Sequence, residues 1–535
     1  MTESIIVHAP DGGRRTIPAD ADAPLSRVLF LAGFLRGLAL CAGLGRCGLC
    51  RVRYRSPAPE PTRRDTARLG EAAVAEGWRL ACLHLAAPCE VELPEIARAE
   101  DAERFHWLDD PDGAPLALGV DLGTTSVAWR AVALEDEGLT RAVAHGSAPN
   151  PQQGLGSEVM TRLALAADPD GAAALRDLAG DWLAAVARRL DERGGRVAEL
   201  CVAGNPAMTA LMLGADASGL SRAPYRLDEP GGAPRPLPGA AGELLPPAWI
   251  PPQYGPFVGG DAAAGLAALL LAQDAAPEYP FLLMDLGTNG EFLLVRGPDD
   301  ILAASAPMGP ALEGVGLSHG RLAGPGVATG FELTPAGLVP VLPFGPHAPT
   351  PDAVRPVGVS GTGHLSLAAL LLDHGLLDAA GHFRESGATP LARRLSRRLE
   401  TVSGEAAFRM PGGLHLTATD VEELLKVKAA ANAAVARLLT EAGMAPREVA
   451  RVHLAGAFGR HVSVRALARL GFLPPELEQR TVKAGNTALA GAVLLASFAA
   501  VREELAALGP VRVLDLAADP AFAEDYVQRM VPGYV

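Results

Sequence analysis

Long apolar runs, lysine, cysteine and aromatic residues are all scarce in this chain of 535 residues. The longest apolar run, residues 488–501, is interrupted by Gly491 and Ser497 and falls short of the roughly 20 residues needed to cross a bilayer, so it reads as a buried helix. The opening MTESIIVHAP has no basic stretch followed by an apolar one, which argues against export and for a cytoplasmic protein. Positive charge is also short: 47 Lys and Arg against 61 Asp and Glu leave a net charge of −14, which removes the electrostatic footprint of a nucleic-acid binder. Six cysteines are too few for a disulfide scaffold, yet Cys41, Cys47, Cys50, Cys82 and Cys89 all fall near the start, and that clustering points to a metal site. Cys201, inside the apolar LCVAGN, reads as a small buried hydrophobe.

What is present suffices for packed domains. Hydrophobic residues make up 49% and charged residues 20%, and the length allows about three or four compact units. The segment SIIVHAPDGGRRTIPA predicts two strands joined at Asp11-Gly12-Gly13, good hairpin chemistry. A helix is expected from Pro24, with Leu25, Val28, Leu29 and Ala32 at helical spacing. RVRYR alternates, placing Val52 and Tyr54 on one face and Arg51, Arg53 and Arg55 on the other, and CEVELPE supplies a last strand.

Residues 1–97 thus form a first unit. Residues 98–116 are acidic, then turn-rich, without a sustained period, and are expected to be a linker. From Ala117, ALGVDLGTTSVAWRAVAL reads as strand, glycine turn, strand, and FLLMDLGTNGEFLLV at 281–295 repeats it. Two such copies predict a duplicated α/β unit, with lobes 117–280 and 281–535 closing on a shared cleft. The proline-rich residues 222–256 are expected to be an ordered loop excursion.

The spacing Cys41-x5-Cys47-x2-Cys50, followed much later by Cys82, supplies four thiolates, with Gly43, Gly45 and Gly48 in the loop. Glycine lets backbone N–H groups approach sulfur and adopts φ > 0. The pattern resembles single-cluster [2Fe-2S] ferredoxins, near the vertebrate adrenal type, and implies a ferredoxin-like α+β (β-grasp) unit. Cys89 competes with Cys82 for the fourth position, and RLAC favours Cys82 by that resemblance. Structural zinc usually takes two short Cys/His knuckles, and only one is present. Arg46, Arg51, Arg53 and Arg55 lie near the cluster in a unit of about neutral charge, where they either dock an acidic redox partner or form an ordinary solvated face.

Asp121-Leu122-Gly123-Thr124-Thr125 and Asp285-Leu286-Gly287-Thr288-Asn289-Gly290 each put an acid at a strand end before a turn rich in Gly and Thr. Such turns offer donors to phosphate oxygens, and the acids can hold Mg²⁺. With LAGAFG and AGNTALAGA they resemble, in order, the phosphate, phosphate, adenosine and connecting motifs of the actin, sugar-kinase and heat-shock-chaperone superfamily (ASKHA, RNase H-like). Only Lys426, Lys428 and Lys483 are lysine. Lys426 and Lys428 lie on a helix capped by Thr419 or Asp420, from which Lys428 is expected to reach a nucleotide.

Taken together, CAGLGRCGLC with RLAC, DLGTTS, NPQ, VAGNPAMTALMLG, VGGDAAAG, DLGTNGE, GPALEG, GVSGTG, KAAANAA, LAGAFG and GNTALAGA resemble the reductive activators of corrinoid proteins. In those proteins an N-terminal [2Fe-2S] domain is fused to an actin-like ATPase. PAMT after VAGN, and GVSGTG in place of GxCGSG, depart from the pattern. The resemblance implies ATP-dependent one-electron reduction of an inactive Co(II) corrinoid to Co(I) in a methyltransferase, either methionine synthase or a catabolic corrinoid protein. It implies a [2Fe-2S] cluster on Cys41, Cys47, Cys50 and Cys82, and ATP with Mg²⁺ organised by Asp121 and Asp285. Gly123, Thr124, Thr125, Gly287, Thr288, Asn289 and Gly290 would hold phosphates, with Gly456, Ala457, Phe458 and Gly459 near adenosine. Glu291 and Glu313 are candidates for positioning the attacking water. An electron-donating reductase or ferredoxin and a homodimer are further implications. A small-molecule kinase with an appended ferredoxin, and a redox-sensing actin-like scaffold that binds nucleotide without turnover, are the alternatives.

Overall fold

Three sheets organise the chain. The computed structural model describes residues 4–535 apart from 37, 39, 41–42, 44, 46, 96–103, 136–137, 157, 273–276, 315, 336, 344–354, 386–388, 403 and 460, and apart from the side chains of residues 104, 310, 457 and 458. The first sheet runs in the order Arg14–Pro18, Ser4–His8, Cys89–Glu92, Arg51–Tyr54, Trp78–Leu80. Its hairpin closes where Asp11-Gly12-Gly13 predicts, with Gly12 at φ 82° and the Ala9 N–H donating to the Gly13 carbonyl at 2.8 Å. Ser4–His8 and Cys89–Glu92 lie parallel, so the last strand returns beside the first. Arg51–Tyr54 alternates as its sequence does, Val52 and Tyr54 inward and Arg51 and Arg53 outward. The helix Leu25–Leu31 begins after Pro24 and buries Leu25, Leu29 and Phe30, each contributing about 1.5–3 kcal/mol of apolar burial.

The second and third sheets share one plan. In the second, Leu116–Leu122, Ser126–Leu134 and Thr140–Pro149 run antiparallel in succession, and Val197–Gly204 lies parallel on the outer side of the first of them. In the third, Phe281–Leu286, Asn289–Gly297 and Asp300–Pro307 do the same, with Arg451–Ala455 as the parallel neighbour. The repeat in the two DLGT segments therefore extends to sheet topology. The lobes meet where the helices Gly260–Leu270 and Thr487–Ser497 cross. A β-carbon on Gly491 would overlap the Ala264 carbonyl, so glycine allows this approach.

Some segments differ from expectation. The stretch 98–116, expected to be a linker, contributes Arg104–Trp107, an edge strand paired with Thr140–Pro149, while residues 98–103 lie outside the described residues. The proline-rich excursion supplies Ala233–Arg235 and Ala248–Ile250, which extend the opposite edge of that sheet, where proline is tolerated. The apolar run at 488–501 is divided at the extended Phe498 into Thr487–Ser497 and Ala499–Ala506. The helix Ala418–Ala442 is capped by Thr417, with Asp420 closing a capping box three residues on, in place of the Thr419 or Asp420 cap expected from sequence. Among the described residues no helix is long and apolar enough to cross a membrane.

Candidate functional site

The two DLGT turns face each other across the lobe junction. The Thr125 and Thr288 hydroxyls are 2.8 Å apart, and the Thr288 hydroxyl donates to Glu313 Oε1 at 3.1 Å. Both turns are fixed from behind. Asn150 donates from its backbone to the Thr125 carbonyl at 2.8 Å and from Nδ2 to the Gly123 carbonyl at 2.6 Å. Arg162 donates from Nη2 to the Thr124 carbonyl at 2.6 Å, and Asn205 Nδ2 to the Thr124 hydroxyl at 3.1 Å. In the second turn the Met308 and Gly309 N–H groups both donate to the Thr288 carbonyl. A turn whose carbonyls are tied away directs its remaining polarity, donors, toward the cleft.

Five carboxylates converge on the same place. Removal from solvent raises the Asp285 carboxyl to about 8, with the charges of Asp121 and Asp261 adding to it. Asp121 rises to about 7 through burial, against the pull of Asn486, whose Nδ2 donates to Asp121 Oδ2 at 2.6 Å. Asp261 rises to about 6 by burial. Glu291, directly across the strand pair from Asp285, is pushed well above its ordinary value by burial and then by Asp261 and Asp285. Burial also raises Glu313, against hydrogen bonds from Thr125 and Thr288 and the charge of Arg162. The Glu313 Oε2 atom is buried with no partner among the described residues. Acids that cannot all ionise together share protons, and their pooled charge draws a cation to the cleft, although among the described residues no three of them close on a single metal position.

The adenosine candidates arrive from the third sheet. Gly456, at φ 87°, packs on Asp285 so closely that a β-carbon would overlap its Oδ1, so the LAGAFG turn abuts the carboxylates. Gly456–Gly459 forms a single helical turn, and the side chains of Ala457 and Phe458 lie outside the described residues. Gly287 and Asn289 close the second turn by a 3.0 Å backbone bond, and a β-carbon on Gly290 would overlap Met308 Sδ. The structure does not bring Lys428 into this group. Its ammonium is fully buried and donates to the Arg529 and Val531 carbonyls, each at 2.9 Å, holding the C-terminal segment. Helical spacing put Lys428 on the inner face of its helix, but spacing does not say which neighbour that face meets.

Five residues of the site have no role that the sequence assigns: Asp261, Asn486, Asn205, Asn150 of the NPQ motif, and Arg162. The first three sit inside glycine-bearing motifs, VGGD, AGN and VAGN, directly before or within the first turn of a helix, which is a readable signal. Arg162 carries none. It is fully buried behind Thr124, and burial lowers its pKa to about 9.

A second group lies in the first sheet. The Cys50 and Cys82 thiols are hydrogen-bonded; that bond, then burial, then the charges of Cys82 and Cys47 raise Cys50 well above its ordinary value. The Leu49 N–H donates to Cys47 Sγ at 3.5 Å, and Arg68 Nη2 to the Cys47 carbonyl at 2.9 Å. Gly43, Gly45 and Gly48 all have positive φ. Cys89 sits on its strand beside Ile5, pushed up to about 11 by burial, and does not contribute to the Cys50 shift. Cys201 is fully buried, as read. Cys41 and Arg46 lie outside the described residues, and among those described no set of three or more His, Cys, Asp or Glu closes on a single metal ion. Arg51 and Arg53 are exposed, and Arg55 pairs with Glu92 at 3.2 Å.

The family model described as the RACo middle region matches residues 116–274, and that of the C-terminal domain of RACo, the ASKHA domain, matches residues 280–532. A "[Co(II) methylated amine-specific corrinoid protein] reductase" of Methanosarcina barkeri is 29% identical over 255 residues, 45% of this chain and 43% of that protein. "Corrinoid activation enzyme RamQ" of Eubacterium limosum is 30% identical over 297 residues, 53% of this chain and 47% of that one. The matched region thus spans less than half the length of either relative. The solved structure of a "Reductive activator for corrinoid,iron-sulfur protein" superposes with a TM-score of 0.65 at 21% identity, covering 99% of this chain and 98% of that one, which establishes a common fold.

Proposed function

The chain belongs to the RACo family of corrinoid activators, and from that premise we propose that it is an ATP-dependent reductase that returns an inactive Co(II) corrinoid protein to Co(I). The observation that carries this reading is the meeting of two phosphate-type turns, joined through Thr125 and Thr288, over five clustered carboxylates. The name of the Methanosarcina barkeri relative, specific for a methylated-amine corrinoid protein, makes a catabolic corrinoid protein the first partner to test, ahead of methionine synthase. The division into a cluster-bearing unit of residues 1–97 and lobes at 117–280 and 281–535 belongs to the same proposal, with Arg104–Trp107 added to the first lobe.

In this reading Asp121 and Asp285 hold Mg²⁺, with Asp261 sharing their field. Gly123, Thr124, Thr125, Gly287, Thr288, Asn289 and Gly290 take the phosphates of ATP, and Gly456, Ala457, Phe458 and Gly459 flank adenosine. Support comes from the tied-back carbonyls of both turns and from the contact of Gly456 with Asp285. Glu313, hydrogen-bonded to Thr288, is the better placed of the two glutamates to orient water, while burial and the charges of Asp261 and Asp285 hold Glu291 well above its ordinary value. Phosphate binding must part the Thr125–Thr288 contact, so nucleotide entry is coupled to lobe movement.

The cysteines fit a [2Fe-2S] group better than a single ion. Two irons each take two thiolates, so ligands need not converge on one point, and Cys47, Cys50 and Cys82, with Cys41 as the fourth, supply the right chemistry. Such a group, when bound, supplies single electrons to Co(II). The Leu49 N–H directed at Cys47 Sγ is the donor that a thiolate ligand takes. An electron-donating reductase or ferredoxin would recharge it, and homodimerisation is carried over from the family. The test is the anaerobic visible spectrum of a Co(II)-loaded corrinoid methyltransferase mixed with the reduced protein. ATP-dependent appearance of Co(I) is expected; a fully loaded protein that leaves every candidate partner at Co(II) would refute the assignment.

A further inference from the structure

Between the unit that bears the cysteines and the turn behind the first phosphate loop, Phe30 packs closely on Gly154. Phe30 lies near the end of the helix Leu25–Leu31, the element that leads into the cysteine loop, and it is only 3% exposed. Its ring sits on Gly154 so tightly that a β-carbon at that glycine would overlap it, and it shares one apolar cluster with Leu155 and Leu163. Gly154 is therefore required for a close approach, at the seam between the first sheet and the first lobe.

The turn bearing Gly154 is the same one that ties back the phosphate turn. Asn150 holds the Thr125 and Gly123 carbonyls. Arg162 bridges the two segments, donating to the Thr124 carbonyl at 2.6 Å, to the Gly156 carbonyl at 2.9 Å and to Gln152 Oε1 at 3.3 Å. The carbonyls of Gly123, Thr124 and Thr125 are thus gripped by one side of a turn whose other side seats Phe30. Between them, Gln153 is 1% exposed and neither end of its amide finds a partner among the described residues. A buried amide left unpaired carries a hydrogen-bonding penalty, so the packing of Phe30 on Gly154 holds this segment against that cost.

We propose that Phe30 is a positioning residue that carries the nucleotide state of the Gly123–Thr125 turn to the cysteine loop through Gly154. The inference rests on the proposed function and adds the route by which its two halves communicate. When phosphate draws the turn forward, Asn150 and Arg162 follow because their bonds to its carbonyls are short. The Gly154 backbone then shifts under a ring that has no slack, and the Leu25–Leu31 helix moves with it. Close-packed interiors transmit such displacements.

Hydrogen–deuterium exchange of the full chain, with and without Mg-AMPPNP, tests this in the wild type and in Phe30→Ala, Phe30→Leu and Gly154→Ala. Nucleotide affinity is measured by calorimetry on the same samples. In the wild type, nucleotide is expected to change exchange across residues 25–36 by about twofold or more. Phe30→Ala and Gly154→Ala should bind within about threefold of the wild type yet lose that change, and Phe30→Leu should keep it. With a corrinoid partner, kcat in the two uncoupled variants should fall about tenfold at unchanged KM for ATP. Gly154→Ala disturbs the contact from the opposite side, so a folding defect confined to Phe30→Ala does not decide the matter. Survival of the exchange response in both uncoupled variants, or its absence in a wild type that binds nucleotide, overturns the route alone. A wild type that binds no nucleotide overturns the proposed function and the route together.

Discussion

Thr125 and Thr288 come from the two copies of one sequence repeat, 163 positions apart, and their hydroxyls share a 2.8 Å hydrogen bond. This bond spans the lobe junction, so it holds the cleft together until phosphate competes for the same hydroxyls. Replacing either residue with valine should lower stability without nucleotide by about 1 kcal/mol. The double variant should lose less than the sum, with a coupling of about 0.5–1.5 kcal/mol in urea unfolding. Mg-ATP affinity should fall about tenfold or more in each single variant, because a phosphate donor is lost. Strict additivity would mean that the bond does not join the lobes.

The carboxylate cluster makes stability depend on pH and Mg²⁺. The Asp261, Asp121 and Asp285 values of about 6, 7 and 8 are all raised above the ordinary aspartate value, so the folded chain binds these protons more tightly than the unfolded one. Their contribution is fully present below the ordinary value and is lost as pH rises through the folded values. Without Mg²⁺, the stability attributable to these groups should therefore fall between about pH 4 and pH 8, by at most about 1.4 kcal/mol per pH unit for each titrating group. Mg²⁺ replaces the protons, so its stabilising effect on Tm should be larger at pH 8 than at pH 6. Asp285→Asn should flatten the pH profile and remove most of the Mg²⁺ response; a Mg²⁺ effect equal at both pH values would contradict a shared site.

The two candidates for the fourth thiolate are separable. Cys50 is hydrogen-bonded to Cys82, whereas Cys89 takes no part in that contact and stands in the sheet. Cys82→Ser should abolish stable [2Fe-2S] absorbance after anaerobic reconstitution and leave nucleotide binding intact. Cys89→Ser should load like the wild type. The reverse pattern would move the fourth ligand to Cys89.

Local pattern revealed what local physics fixes, and missed what packing decides. The alternation in Arg51–Tyr54, the hairpin at Gly12 and the acid-turn repeats at Asp121 and Asp285 were all legible, because each depends on a few neighbouring residues. The edge strand Arg104–Trp107 was not, because its reason for being a strand is its partner Thr140–Pro149, distant in sequence. Arg162 was invisible for a similar reason: a single arginine in a short helix acquires its meaning only from Thr124 and Gly156. Asp261 stood in a quoted motif and still lacked a role until the crossing helices set it beside Asp121 and Asp285.

Lys428 gives the sharpest test of that distinction. Rarity of lysine suggested a nucleotide contact, but the ammonium is spent on the Arg529 and Val531 carbonyls, and Asn432, one turn further along the helix, donates to the Gly471 carbonyl at 2.7 Å. Burial, helped by the Arg529 charge, lowers the Lys428 pKa to about 8, so the charged form is held only while both carbonyls accept from it. Lys428→Met leaves those carbonyls buried without a donor and should cost about 2–3 kcal/mol in urea unfolding. The C-terminal residues should become more open to carboxypeptidase, while Mg-ATP affinity stays within about twofold of the wild type. Because the folded Lys428 gives up its proton near 8 and the unfolded side chain only near its ordinary value, the unfolded chain binds more protons in between, so the wild type should gain stability as pH rises from about 8 to about 10.5, and the variant should lack that component. A variant with normal stability and weakened ATP binding would return Lys428 to the nucleotide site.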